Sequence, residues 1–192
     1  MKCLVEPRSW RDADGHAAMR DFLLCPPPRR AAIRDLMAEL LSPHPFSRRC
    51  AADLARRVSA REPGVLRKFA GVFIDLLAEL PVNEWQTRGY IALAAALNAS
   101  THAERMNLAV LVRPLIENER IAVRAMALEA FAILGAAEPE LRDEATLLLE
   151  RYRRDRTPAM RCRARRMSLV LLKSEEKPQP QTPSRARCAP KN

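Results

Sequence analysis

The sequence predicts an all-α protein, an α-solenoid of about four stacked helical hairpins. Three observations carry this. Apolar residues make up 48% of the 192 residues, only five are glycine, and Ala, Leu and Arg outnumber Val, Ile and Thr, a balance that favours helix over strand. An arginine followed by an Ala-rich apolar face recurs at Arg48, Arg88, Arg124 and Arg161, at intervals of 40, 36 and 37 residues, the period of paired-helix repeats. Ahead of each arginine, apolar residues fall in steps of four: Ala32, Leu36, Leu40; Val72, Leu76, Leu80; Leu108, Val112, Ile116; then Ala145 and Leu149, with Arg153 the one polar member. That spacing keeps each trio on one helical face.

The elements follow in order. Residues 1–27 form an N-terminal segment in which DADGHAAMRDFLL, 12–24, predicts a capping helix with Asp12 or Asp14 as N-cap. Its Ala18, Phe22 and Leu23 suit the open side of a first hairpin before CPPPRR breaks the chain. The repeat domain spans 28–172. Its first helices are predicted at 28–41, 64–80, 102–117 and 139–154, its second helices at 46–59, 84–98, 120–134 and 158–172. Pro43, Pro45, Pro63, Pro81, Pro139 and Pro158 mark the corners, because proline stops a helix or occupies its first turn. Pro114 falls inside a first helix and predicts a kink. Alanines such as Ala51, Ala55, Ala92, Ala95, Ala127 and Ala130 let second helices approach closely. The frame arginines Arg48, Arg88 and Arg124 are expected to bond to corner carbonyls or acids. Trp85, three residues before its frame arginine, is expected to pack in a corner, with Tyr90 as a further aromatic of that helix. From 173 to 192 the chain is basic, Pro-rich and nearly free of large apolar residues, which predicts disorder. Thr182-Pro183-Ser184-Arg185 resembles a proline-directed kinase site, making Thr182 a possible phosphosite.

The corner followed by Val123, Arg124, Ala127, Ala130, Phe131, Leu134 and Gly135 resembles HEAT repeats of the armadillo-like superfamily. The first hairpin, LLSPHPFSRRCAADLARRV, is also similar; the second carries Ile91 in place of the first Ala, and the fourth carries Arg153, Arg163, Arg165 and Arg166 where small or apolar residues are expected. The resemblance covers about residues 28–172. It implies a fold and no activity: HEAT arrays serve as scaffolds that bind partners along a curved surface.

Net charge is +10 and uneven. Residues 64–150 are net −4, while 151–166 hold eight arginines and one aspartate. Arg151, Arg153, Arg154, Arg156, Arg161, Arg163, Arg165 and Arg166 are the candidate partner-binding residues, for an acidic protein or nucleic acid. A polar terminal face that stops the stack from growing is the structural alternative. Cys3, Cys25, Cys50, Cys162 and Cys188 form no CxxC pair, which predicts free thiols in a reducing compartment. The N-terminal MKCLVEPRSW predicts no secretory signal, so an intracellular protein, cytoplasmic or nuclear and without a membrane segment, is expected. No Gly-rich phosphate loop, H-E-x-x-H or G-x-S-x-G occurs. No catalytic residue, metal, cofactor or small-molecule substrate is therefore expected. Trp85, Asp75 and Arg88 are the only candidates for a repeat-built DNA glycosylase, and the acidic middle opposes phosphate binding there. The expected function is a non-enzymatic protein-interaction scaffold or adaptor; the alternative is nucleic-acid binding through the Arg-rich C-terminal repeat.

Overall fold

The computed structural model describes residues 29–175; the predicted helix at 12–24, Thr182 and all of the basic tail beyond 175 lie outside the described residues. Among the described residues there are eight α-helices and no strand: α1 (Arg29–Leu40), α2 (Pro45–Arg61), α3 (Ala70–Glu79), α4 (Trp85–Asn98), α5 (His102–Ile116), α6 (Ile121–Ala137), α7 (Pro139–Arg153) and α8 (Pro158–Glu175). Pro45, Pro139 and Pro158 each open a helix, where a missing N–H costs nothing. α5 starts on a capping box. Thr101 Oγ1 accepts from Glu104 N (3.2 Å), and the Glu104 carboxylate accepts from Thr101 N (2.9 Å). Those backbone donors, Thr101 first and then Ser100, hold the Glu104 carboxyl below its ordinary value. Pro114 lies in the last turn of α5, and the helix continues past it to Ile116.

The largest departure from the expected boundaries is at the start of α3, and α6 and α8 each run three residues past their expected ends, α6 to Ala137. The helix expected at 64–80 begins only at Ala70, after a 3-10 turn at Arg67–Phe69. Gly64 takes φ +83°, a conformation that suits glycine. Its N–H donates to Leu97 O (3.2 Å), and Leu66 N donates to Asn98 Oδ1 (2.9 Å). Both donors are thus drawn sideways onto the end of α4. α8, expected to stop at 172, runs on through Lys173 and Ser174 to Glu175, and Ser174 Oγ donates to Leu171 O (2.7 Å).

Each odd-numbered helix packs on the even-numbered helix that follows it, and the even-numbered helices pack on one another in series, α2 on α4, α4 on α6, α6 on α8. The small residues explain the series. Ala52, Ala55, Ala92, Ala94, Ala95, Ala127 and Ala130 are all fully buried, and side chains of that size let helix axes come close. Phe73, Leu77, Leu108, Phe131 and Leu128 fill the volume between odd and even helices. Of the apolar trios, Leu36, Leu40, Leu80, Leu108, Val112, Ile116, Ala145 and Leu149 are buried, whereas Arg153 is exposed.

Polar groups fasten the steps of this series. Asn98, 2% exposed, donates to Ser59 Oγ (2.7 Å) on α2 and to Ala94 O (2.8 Å) while accepting from Leu66 N. Glu138, 6% exposed, accepts from the Arg105 guanidinium and sits 2.9 Å from His102 Nδ1. Burial pushes the Glu138 carboxyl up, but the hydrogen bonds from His102 and Arg105 outweigh it and hold it below the ordinary value. The same bond, with the Glu138 charge behind it, raises the His102 pKa. A raised histidine contributes stability that is complete below its unfolded pKa, about 6.5, and is lost as pH rises through the folded value. His102→Ala is therefore expected to lower the melting temperature relative to wild type at about pH 5.5 and to leave it nearly unchanged at about pH 8.5. Paired thermal melts at the two pH values check this.

Candidate interaction surface

The N-terminal ends of the even helices form one row. Three of the four frame arginines do the same thing there. Arg48 Nη1 donates to Ser42 O (2.6 Å), Arg124 Nη1 to Asn118 O (3.3 Å) and Arg161 Nη1 to Asp155 O (2.9 Å), each carbonyl lying six residues back. The guanidinium thus satisfies a corner carbonyl that no helix bonds. Arg48 also forks onto the Glu84 carboxylate at the corner before α4, a two-bond geometry suited to arginine. Arg88 departs from the expectation: it makes no such bond, and its Nε is buried without a hydrogen-bond partner. Its corner closes instead through Glu84 N to Pro81 O (3.0 Å). Two arginines that the frame did not single out behave like the others. Arg105 donates to Ser100 O (2.9 Å), and Arg142 to Ala136 O (3.3 Å). Their signal was an arginine in the first or second turn after a corner.

Trp85 packs in its corner, half-buried, with the Arg120 guanidinium 4.2 Å from the ring centroid. This cation–π contact joins the corners before α4 and α6. Trp85 also lines a groove of 540 Å³ together with Phe46, Arg49, Pro81 and Asn83. Tyr90 is half-buried one turn further along α4; its hydroxyl accepts from Gln86 Nε2 (2.8 Å) and its ring lies 5.3 Å from the Arg56 guanidinium. With Leu97 on α4 and Ile133 on α6, also half-buried, it gives the even-helix row a partly apolar outer surface.

The arginines of the cluster have different surroundings. Arg151 pairs with Glu117 (2.8 Å), both side chains well exposed, a pair of small energetic value. Arg163 and Arg166 converge from α8 on the Glu129 carboxylate of α6. Arg161 is held on its corner carbonyl. The side chains of Arg153, Arg154, Arg156 and Arg165 remain exposed, with no hydrogen bond or ion pair of their own among the described residues. Half of the cluster is therefore engaged within the chain, and the other half lies on the end of α7, the last corner and the outer face of α8.

Asp75 stands on the exposed face of α3, Trp85 lies under Arg120, and Arg88 is half-buried in α4; no hydrogen bond or ion pair joins the three. Among the described residues no three His, Cys, Asp or Glu side chains could hold a metal ion, and no helix is long and apolar enough to cross a membrane. Cys50 and Cys162 are not in disulfides. Among the described residues the protein is all-helical, and many of its polar side chains join helices or close corners. No protein-family model, curated protein or solved structure matches the chain.

Proposed function

We propose that the chain is a short α-solenoid of four HEAT-like hairpins acting as a non-enzymatic scaffold that binds a protein partner along its even-helix surface. The observation that carries this is the unbroken series α2–α4–α6–α8, with half-buried Tyr90, Leu97 and Ile133 on its outer side. Apolar and aromatic groups left on a rigid, repeated face are suited to a helix or extended peptide. Affinity capture from native cell extract at about 0.15 M salt, comparing wild type with Tyr90→Ala/Ile133→Asp, tests it. A specific set of proteins is expected on wild type and lost on a variant that still melts cooperatively. Identical capture by both, or none by wild type, overturns the proposal.

A second reading, nucleic-acid binding at the C-terminal end, is favoured by the four exposed arginines without partners. It predicts steep salt dependence and loss of binding in a variant with those four arginines changed to glutamate. The pairing of Arg151, Arg163 and Arg166 with acids weighs against it.

A further inference from the structure

The hairpin register makes the outer face of α8 comparable, position by position, with faces that are covered. Four residues after the frame arginine stand Ala52, Ala92 and Leu128, all buried; eight after stand Ala96 and Ala132, buried, and Arg56, half-buried; eleven after stand Ser59 and Gly135, buried, and Ala99, half-buried. In the last hairpin the same positions are Arg165, Leu169 and Leu172, all exposed, the leucines at 58% and 56%. Gly135 shows what covers such a position: α7 lies against it, with Ala145 and Leu141 at contact distance. The charges at this step are equally informative. The third hairpin offers Glu117, seven before its frame arginine, and Glu129, five after; these receive Arg151 and Arg163 of the fourth. The fourth hairpin carries Arg154 and Arg166 at those two register positions. The outgoing edge has reversed sign.

From this geometry we infer that the open face of α8, Leu169 and Leu172 with Arg165 one turn before them and Arg154 at the corner where the helix begins, docks an α-helix of a partner protein that is apolar on one side and bordered by carboxylates. The inference rests on the scaffold reading and gives it a second, distinct site. Apolar area exposed at positions that the third hairpin buries, and that the first two bury in part, drives the contact, and the unpaired Arg154 and Arg165 select the sign of what covers them. Residues 176–192 contain no Leu, Ile, Val, Met or aromatic residue and a single acid, so this chain's tail lacks that chemistry. A second copy continuing the register would bring Ala38 and Cys50 to the places filled by Arg151 and Arg163, offering no carboxylate at those two places to Arg154 or Arg165.

The test uses the full chain and a fluorescein-labelled helical peptide with an Ala/Leu face bordered by glutamates. A Lys-bordered twin and a short DNA duplex serve as comparison probes. Anisotropy is read at about 0.15 M salt. The Glu peptide is expected to bind and the Lys twin to bind about tenfold or more weakly; Leu169→Asp/Leu172→Asp and Arg154→Glu/Arg165→Glu should each weaken the Glu peptide about tenfold. Both variants change exposed side chains, and unaltered melting curves show that they fold. No binding of the Glu peptide, equal binding of the Lys twin, or unchanged binding by both variants overturns the inference. Preferential binding of the duplex, lost in Arg154→Glu/Arg165→Glu, assigns the face to nucleic acid and overturns it. Wild-type self-association abolished by Leu169→Asp/Leu172→Asp assigns the face to a second copy and overturns it. The Tyr90→Ala/Ile133→Asp variant should bind the peptide as wild type does, so failure at the even-helix surface and failure at the α8 face give different results.

Discussion

Gly135→Ala is expected to destabilise the protein by about 2 kcal/mol even though alanine is the better helix former, because a methyl group there overpacks the α6–α7 junction. A Cβ at 135 would lie 2.6 Å from Ala145 Cβ, 3.3 Å from Leu141 O and 3.6 Å from Arg142 Cα. Two of those three atoms belong to the backbone, and the third is a Cβ with no rotamer to adopt, so only a shift of α7 relieves the contact. Strain of about 3 kcal/mol less a propensity gain of about 1 kcal/mol leaves the net loss. For a domain of this size the melting temperature should fall by about 4–8 °C. Two other glycines calibrate the claim. At Gly89 the nearest atom to a new Cβ is Met126 Cε at 2.7 Å, the end of a flexible side chain that can move away, so Gly89→Ala should be close to neutral. At Gly71 nothing lies within 4 Å, so Gly71→Ala should stabilise by about 0.5–1 kcal/mol. Melts that place Gly135→Ala level with Gly71→Ala would show that α6 and α7 do not approach as described.

The helices were legible because their signals are local. Steps of four apolar residues and prolines at the corners place α5 and α7 within a residue of their observed ends. Where expectation failed, a group distant in sequence decided the outcome. Leu66 would continue a helix on propensity alone; Asn98, 32 residues on, captures its N–H instead. The pairing within the arginine cluster was hidden in the same way: the acids that meet Arg151, Arg163 and Arg166, Glu117 and Glu129, are some 34 residues earlier. Local net charge cannot see them; comparing positions across the repeat interval could have, since both acids face arginines displaced by nearly one period. Arg88 shows the limit of that method. It occupies the frame position yet lacks the carbonyl bond made by Arg48, Arg124 and Arg161.

Asn98→Leu should be the most destabilising single change among the buried polar residues, at about 3–4 kcal/mol. The side chain is fully used: Oδ1 receives Leu66 N, and Nδ2 gives to both Ser59 Oγ and Ala94 O. Leucine is close in volume, so the loss is electrostatic. It strands the buried Leu66 N–H, a penalty of about 1–3 kcal/mol, and removes a polar link between α2 and the start of the 3-10 turn. Ser59→Ala removes the acceptor of one Asn98 Nδ2 hydrogen and the bond to Ala55 O (2.7 Å) but leaves Leu66 N paired, so it should cost less than Asn98→Leu, about 1–3 kcal/mol. Asn98→Asp separates the two halves of the role. It keeps an acceptor for Leu66 N but sets a carboxylate oxygen against Ala94 O, with burial opposing the charge. Its folded pKa should therefore be raised, so the variant's deficit relative to wild type should be largest at neutral pH and shrink as pH falls through that value. Urea melts at about pH 7 and about pH 4.5 give the comparison. A deficit that grows towards acid, or an Asn98→Leu protein as stable as wild type, would show that this amide does not hold the first step of the series together.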